Sequence, residues 1–245
     1  MKTKIIAHRG AWKEFGLPEN SVAALLKAID EKIEGVELDI HVTRDQQFVV
    51  FHDDFIGGKP VVQYSREELQ SFLLENGEPV PFLEEFFEYT SGKKMHLVIE
   101  LKTNSVQPEQ TTASALALGK FVMDRAQDHS FEFILFDWDA ACLLKEHFPF
   151  FTVSYLNGDK TVKEIKEKRL DGIDYHFSLF LSDNLLIEQC RIQQLRTNAW
   201  TVNDLELAGK LIEEGICCIT SDNPVKLRDF FDTKEPLNKN KGQIS

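Results

Sequence analysis

Short apolar segments rich in Ile, Val and Phe alternate along the chain with longer stretches in which apolar residues recur at helical spacing. The apolar segments predict strands at Lys4–His8, Val36–Val42, Phe48–His52, His96–Leu101, Phe131–Phe136, Phe151–Leu156, Gly172–Tyr175, Asn198–Val202 and Ile216–Thr220. The other stretches predict helices at Ser21–Glu31, Arg66–Leu74, Leu83–Tyr89, Pro108–Gln127, Ala140–Glu146, Val162–Lys168, Asp183–Arg191 and Leu205–Glu213. Such alternation favours parallel strands joined by crossover helices, which is an α/β fold.

The number of predicted strands exceeds by one the eight of a TIM-type (β/α)8 barrel, a fold of about 250 residues. The excess lies at residues 42–48, where the link is too short for a crossover helix. We therefore predict a TIM-type barrel with an irregular, hairpin-like second and third strand turning near Asp45. In that hairpin, residues whose numbers sum to about 90 face each other, which places His52 beside Leu38 and Asp39.

The chain shows no internal repeat and no clear linker, so we predict one barrel domain over residues 1–245. Residues 233–245 are polar and rich in Lys and Asn, which predicts a frayed tail.

The charge balance excludes some partners. With 40 acidic and 28 basic residues, the formal net charge is −12, which argues against nucleic-acid binding and against docking on an anionic membrane. The first ten residues contain no long apolar run, which predicts neither a signal peptide nor an integral membrane span. The four cysteines form no CxxC pair, so we interpret them as core residues in a reducing compartment and expect a cytoplasmic location.

Polar residues lie at or near the carboxyl ends of the predicted strands. In a barrel of parallel strands, all the carboxyl ends open onto one mouth, where active sites lie. The residues in question are His8 and Arg9, Glu37 and Asp39, His52, Glu100 and Lys102, Thr201 and Asn203, and Asp222.

Three of these residues are carboxylates that we expect to share one face. Glu37 and Asp39 are two positions apart on a strand, so both side chains leave the same side, and Glu100 and Lys102 repeat that spacing. Clustered carboxylates are costly unless a cation lies among them. Hard oxygen ligands without a thiolate suit one divalent ion, Mg²⁺ or Ca²⁺. The alternative is that each carboxylate forms an ion pair with a nearby Arg or Lys.

His8 and His52 flank this set, and histidine is suited to acid–base catalysis near neutral pH. Arg9 and Lys102 can hold an anionic group, Arg in the bidentate manner that phosphate favours. A divalent metal, two histidines and two cations around one mouth indicate phosphoryl chemistry.

Short motifs along the chain resemble those of the glycerophosphodiester phosphodiesterase family, whose barrel is similar to that of the phosphatidylinositol-specific phospholipases C. They follow the family order from residue 8 to residue 224, and the ordered set is far more specific than any single piece. The matching pieces are His8-Arg9-Gly10, Pro18-Glu19-Asn20-Ser21, Glu37-Leu38-Asp39, Thr43-Arg44-Asp45, His52-Asp53, Ile99-Glu100-Leu101-Lys102, Trp200-Thr201-Val202-Asn203 and Thr220-Ser221-Asp222-Asn223-Pro224.

The resemblance implies metal-dependent hydrolysis of a small-molecule glycerophosphodiester to glycerol 3-phosphate and an alcohol, through a cyclic phosphate. It implies roles for nine residues: His8 and His52 as the acid–base pair; Glu37, Asp39 and Glu100 as metal ligands; Arg9 and Lys102 as phosphate ligands; Trp200 as a pocket wall; and Asn20 as a residue that shapes the phosphate end. The chain departs from the family at residues 54–80, where the usual inserted subdomain is short. That departure leaves the identity of the leaving alcohol open.

Two other functions fit the same motifs. One is a lysophospholipase D-type diesterase acting on lipids, and the other is an inactive barrel that binds glycerophosphodiesters. Three further residues stay open: His41 and His176 could reach the pocket, and Asp222 could cap the final helix, brace a loop or contact the substrate.

Overall fold

The structure is a computed structural model that describes residues 2–125 and 129–234. Its strands are β1 (Lys4–Ala7), β2 (Gly35–Val42), β3 (Phe48–Val50), β4 (Phe55–Ile56), β5 (Lys59–Pro60), β6 (His96–Leu101), β7 (Ser130–Leu135), β8 (Val153–Tyr155), β9 (Gly172–His176), β10 (Arg196–Trp200) and β11 (Cys218–Ser221). Its helices are α1 (Val22–Asp30), α2 (Arg66–Leu69), α3 (Leu83–Thr90), α4 (Thr111–Arg125), α5 (Trp138–His147), α6 (Val162–Glu167), α7 (Phe177–Ser182), α8 (Leu186–Ile192), α9 (Leu205–Glu214) and α10 (Pro224–Lys234).

Within the described residues, eight parallel strands close into a barrel in the order β1, β2, β6, β7, β8, β9, β10, β11. The barrel closes where β11 pairs with β1, with Ala7 opposite Ser221. Helices connect the parallel strands around the outside, because a parallel pair cannot be joined by a tight turn. The predicted TIM-type α/β barrel is confirmed.

The ninth strand of the main sheet is β3, which pairs with β2 in the antiparallel sense. Ile40 lies opposite Val50 and Val42 opposite Phe48, so paired residue numbers sum to 90 as predicted. The backbone N–H of Phe51 also donates to the carbonyl of Asp39 at 3.0 Å, which extends the pairing to the edge of the barrel mouth.

Side chains of the barrel strands divide between two cores, because successive residues of a strand point to opposite faces. The inner core holds Ile6, Val98, Ile134 and Cys218 with Leu156. The outer core lies between strands and helices and is much larger; it includes Leu38, Leu97, Ile99, Phe133 and Leu135. Both faces of each strand are thereby covered, which explains the near-continuous apolar sequence of β6 and β7.

The short segment at residues 54–80 forms the β4–β5 ladder, a 3-10 turn at Val61–Gln63 and α2. The predicted helix Arg66–Leu74 ends at Leu69, five residues early. A turn explains this difference: the N–H of Leu74 bonds to the carbonyl of Glu78 at 2.7 Å, and Phe72 and Leu74 pack onto a separate apolar cluster around Val61 and Tyr64.

Other elements differ in extent from the prediction. A 3-10 turn at Pro108–Gln110 precedes α4, and residues 126–127 of the predicted helix Pro108–Gln127 lie outside the described residues. The helix α7 had no counterpart in the predicted pattern, because its sequence Phe-Ser-Leu-Phe-Leu-Ser lacks a helical period. The helix α10 continues to Lys234, into the segment predicted to fray, and residues 235–245 lie outside the described part.

Among the described residues, no helix has the length and apolar character that crossing a membrane requires.

Candidate active site

Three carboxylates meet at the carboxyl ends of the neighbouring strands β2 and β6. Asp39 lies opposite Glu100 in the parallel ladder, and Glu37 is two residues before Asp39 on the same face. One oxygen from each carboxylate lies within 4.8 Å of the others. The i, i+2 spacing thus produces the predicted cluster.

Burial and mutual repulsion set the charge of this cluster. Burial, and then the charges of Asp39 and Glu100, raise the pKa of Glu37 well above its usual value. Burial, and then Asp39, raise the pKa of Glu100 to about 7. Burial also opposes ionisation of Asp39, but Lys102 and Arg9 outweigh it and hold the pKa of Asp39 below its usual value. Asp39 is thus the most readily ionised of the three, and a cation among them would favour ionisation of the other two.

The two basic residues of the site lie against these carboxylates. The Nζ atom of Lys102 is 3.0 Å from Glu100 and 3.3 Å from Asp39. The Arg9 guanidinium is 3.2 Å from Asp39 and donates from one nitrogen to both oxygens of Glu19 at 2.9 Å. Asp39 and Glu100 therefore form ion pairs of the kind considered as an alternative from sequence, whereas Glu37 forms none with an Arg or Lys among the described residues.

Both polar atoms of the Asn20 side-chain amide form hydrogen bonds with Asp39. Its Nδ2 donates to Oδ2 of Asp39 at 2.8 Å, and its Oδ1 accepts from the Asp39 backbone N–H at 3.2 Å. Asn20 has a φ of 55° and precedes Ser21, whose side chain caps α1 by accepting from the N–H of Ala24. The start of α1 therefore fixes the position of a site carboxylate.

His8 follows β1 and is paired with Asp222, which follows β11. The His8 Nδ1 atom lies 2.7 Å from Oδ1 of Asp222, and the His8 Nε2 atom lies 3.9 Å from Oε2 of Glu37. Asp222 also accepts from Lys13 at 3.0 Å and from Asn203 at 2.9 Å. Burial disfavours the charged form of Asp222, but these three hydrogen bonds outweigh burial and hold its pKa far below the usual value.

His52 reaches the site from the far end of the hairpin. Its Nδ1 lies 2.8 Å from Oδ1 of the exposed Asp53, and its backbone carbonyl lies 3.3 Å from Nε2 of His41. His41 is buried, and burial lowers its pKa. The contact between the two residues therefore links His41 on β2 to the backbone at the end of the hairpin. His176 ends β9 and packs its ring edge-on against Trp200 at 5.4 Å.

A cavity of about 280 Å³ at the barrel mouth is lined by His8, His52 and several of the charged groups described above. Part of the lining is charged and part is apolar. The charged or ionisable lining residues are His8, Arg9, Glu37, His52, Glu100, Lys102 and Asp174, the apolar and aromatic ones are Ile134, Phe136, Leu156 and Trp200, and Thr220 adds a hydroxyl. The predicted convergence of both histidines with the carboxylates is observed.

Sequence reasoning left the role of Asp222 open and missed Asp174, which lines the cavity. The partnership of Asp222 with His8 could have been found from barrel closure, because Ala7 pairs with Ser221 and the next residues must then be neighbours. The signal for Asp174 is an acidic residue within the otherwise apolar β9.

The carboxylate cluster fits a hard divalent cation. The Oε1 atom of Glu37 is buried and has no hydrogen-bond partner among the residues that the structure describes. A cation among Glu37, Asp39 and Glu100 would satisfy that oxygen and offset the burial and repulsion that raise two of the pKa values. Three carboxylates with no thiolate match the oxygen ligands preferred by Mg²⁺ and Ca²⁺.

Comparison with known proteins places this site in a family context. A glycerophosphodiester phosphodiesterase from Parabacteroides distasonis is 33% identical with a TM-score of 0.90, and the match covers 96% of this chain and 98% of that one. An Oleispira antarctica phosphodiesterase, solved with the product sn-glycerol-3-phosphate, is 26% identical with a TM-score of 0.85, covering 94% and 97%.

Sequence comparison agrees. A glycerophosphodiester phosphodiesterase of Caldanaerobacter subterraneus subsp. tengcongensis is 27% identical over 244 residues, which cover 93% of this chain and 97% of the relative. The model of the glycerophosphoryl diester phosphodiesterase family matches residues 8–226. That span holds every residue of the cavity and all the barrel strands except β1, and the chain belongs to the glycerophosphoryl diester phosphodiesterase family.

Proposed function

We propose that the chain hydrolyses glycerophosphodiesters to glycerol 3-phosphate and an alcohol, with His8 and His52 as the acid–base pair. The observation that carries this proposal is the single cavity of about 280 Å³, which both histidines line together with carboxylates and two basic residues. Acid–base groups and anion ligands around one small cavity are what cleavage of a phosphodiester needs.

Glu37, Asp39 and Glu100 are the proposed ligands of one divalent cation, Mg²⁺ or Ca²⁺. When bound, such an ion neutralises charge on a phosphate oxygen and makes a nearby hydroxyl more acidic. Asn20 contributes by fixing the orientation of Asp39 through the two hydrogen bonds of its amide.

The two histidines move the protons. One accepts the proton of the glycerol 2-hydroxyl as its oxygen attacks phosphorus, while the other donates a proton to the departing alcohol. The P–O bond to the alcohol breaks and a five-membered cyclic phosphate forms. Water then adds to phosphorus, the histidines exchange roles, and the ring opens to glycerol 3-phosphate. The bond from His8 to Asp222 keeps the imidazole oriented in both steps.

Arg9 and Lys102 are the proposed phosphate ligands, since both line the cavity beside the carboxylates. Arg9 is held by Glu19 and Asp39, so its guanidinium is fixed in place before the substrate arrives. Trp200 forms part of the apolar wall and is anchored by its Nε1–H, which donates to the carbonyl of Asp174 at 2.9 Å.

The test is glycerol 3-phosphate release from glycerophosphocholine by the purified protein. We expect release that EDTA abolishes and that Mg²⁺ or Ca²⁺ restores. Glu37→Gln should lower the rate strongly, whereas Glu84→Gln, which removes a carboxylate that pairs with Arg66 outside the cavity, serves as the matched control. A protein that binds the diester without releasing glycerol 3-phosphate would be the inactive barrel. Turnover of a lysolipid alone would favour the lysophospholipase D-type reaction.

A further inference from the structure

Three polar side chains form a connected group inside the barrel, on the neighbouring strands β9, β10 and β11. Asp174, Asn198 and Thr220 are all buried, with exposures of 1%, 4% and 2%. The Nδ2 group of Asn198 donates to Oδ2 of Asp174 and to Oγ1 of Thr220, each at 2.8 Å. We call Asp174, Asn198 and Thr220 the polar floor.

The polar floor has unused hydrogen-bonding capacity. Among the described residues, neither Oδ1 of Asp174 nor Oδ1 of Asn198 has a hydrogen-bond partner, although both atoms are buried. Buried polar atoms without partners are rare in folded proteins, and each one calls for an explanation. The neighbouring inner-core residues Ile6 and Cys218 are apolar, and the charged Glu132 and Arg196 act on Asp174 without a hydrogen bond to either free oxygen among the described residues.

The polar floor belongs to the cavity and lies across it from the proposed metal ligands. Asp174 and Thr220 both line the cavity. In the circular order of the barrel, β9 is four strands from β2 in either direction, so Asp174 lies opposite Glu37. Between them, Ile134 and Leu156 form an apolar wall. A bound molecule therefore meets charge on one side, hydrocarbon along its length and hydrogen-bonding groups on the other side.

We propose that Asp174 and Thr220 are specificity-determining residues that hydrogen-bond the terminal hydroxyl of the substrate's glycerol unit. This inference rests on the proposed function. With the phosphate held by Arg9 and Lys102 and the glycerol pointing to the floor, the leaving alcohol extends towards the open mouth.

The protonation of Asp174 suits this role. Burial, and then the charges of Glu132 and Glu100, raise the pKa of Asp174 to about 8, although Asn198 and Arg196 oppose this effect. At neutral pH the side chain is therefore mostly a neutral acid, which can both donate and accept a hydrogen bond. Thr220 accepts from Asn198 and keeps its own hydroxyl proton to donate. The polar floor can thus both donate a hydrogen bond to a substrate hydroxyl and accept one from it.

The test compares glycerophosphocholine with 2-hydroxypropyl phosphocholine, which keeps the reacting 2-hydroxyl and lacks the terminal one. We expect wild-type kcat/KM to be lower for the analogue by about 10- to 100-fold, because the floor would be left without its partner. Asp174→Leu and Thr220→Val should lose a similar factor on glycerophosphocholine, mainly through KM, and change little on the analogue.

Conservative variants and a control separate recognition from folding. Asp174→Asn and Thr220→Ser keep a donor and an acceptor, so both should retain the preference for glycerophosphocholine. Thr197→Val removes a buried β10 hydroxyl outside the cavity, which accepts from the N–H of Cys217, and should leave the preference unchanged.

The outcomes are distinguishable. Equal wild-type rates on the two substrates, or equal losses on both in Thr220→Val, would overturn the role of the polar floor and leave the proposed function standing. A wild-type protein that releases glycerol phosphate from no glycerophosphodiester would overturn the proposed function and, with it, this inference.

Discussion

The Nδ1 atom of His8 lies 2.7 Å from Oδ1 of Asp222, although 214 positions separate the two residues. They meet because β1 pairs with β11 in a register that aligns Ala7 with Ser221. A carboxylate at Nδ1 favours the tautomer with its proton on that nitrogen, which leaves Nε2 of His8 free to exchange a proton in the cavity.

This contact predicts that Asp222→Asn lowers kcat by roughly 10–100-fold, with a smaller change in KM. The amide removes the negative charge that stabilises the charged imidazole, and its NH₂ group can face Nδ1 and favour the wrong tautomer. Steady-state kinetics measures the loss, and ¹⁵N NMR of the histidine ring measures the tautomer. Asp204→Asn is the matched control, because Asp204 caps α9 by accepting from the N–H of Leu207. An Asp222→Asn enzyme with wild-type kcat would contradict the orienting role.

Removing either proposed acid–base histidine should lower kcat more than Asp222→Asn does. We expect His8→Ala and His52→Ala each to reduce kcat by about 10²–10⁴-fold, the usual range for an acid–base residue. His147→Ala provides the control, since His147 is exposed on α5 and contacts the Leu143 carbonyl. Single-turnover measurement of glycerol 3-phosphate release checks the effect on chemistry. A variant at position 8 or 52 that turns over at the rate of the control would remove that histidine from the mechanism.

The turn after His8 and Arg9 predicts a stability difference between two glycines. Gly10 has a φ of 88°, and a Cβ there would lie 2.7 Å from Cβ of Ala24 on α1. Gly10→Ala therefore combines backbone strain with a steric clash, and we expect a loss of about 2–4 kcal/mol in the free energy of unfolding. Gly16 has a φ of 63°, and a Cβ there would meet no atom within 4 Å, so Gly16→Ala should cost only about 1 kcal/mol. Urea denaturation measures both, and equal losses would show that the clash with α1 is relieved.

The raised pKa of Asp174 predicts a specific dependence of stability on pH. Burial first, and then Glu132 and Glu100, raise the folded-state pKa to about 8 from the usual 3.8. Between those values the folded chain keeps a proton that the unfolded chain releases, so the contribution of Asp174 to stability is full below about pH 4 and falls as pH rises to about 8.

Asp174→Asn cannot ionise and should remove this dependence. We expect the Tm of the variant to exceed the wild-type Tm by roughly 2–8 °C at pH 8, with the difference shrinking towards pH 4. Calorimetry across that range checks the sign. A difference in Tm that grows as pH falls would mean that Asp174 is ionised in the folded protein.

The hairpin shows how far the sequence determines the geometry of the site. The link between residues 42 and 48 is too short for a helix, so the strand had to reverse, and alternation then fixed which residues face each other. The placement of Glu37, Asp39 and His52 around one mouth followed from these two rules. Local rules of this kind are reliable because they depend only on chain geometry.

The features that the sequence did not predict depend on contacts between residues that are far apart in the chain. Arg66–Leu74 has a helical pattern, but Phe72 and Leu74 are taken up by a separate apolar cluster, so tertiary packing overrides the local preference. Asp174 is an isolated acid on β9 until the positions of Asn198 and Thr220 are known. Its role follows from the register of three strands, which the apolar pattern alone does not specify.

The pairing of β1 with β11 also divides the site into two parts with different supports. The carboxylate cluster is set by β2 and β6, which lie side by side, whereas the Asp222 partner of His8 is held in place by β11. A substitution that loosens β11 should therefore disturb the orientation of His8 before it disturbs the three carboxylates.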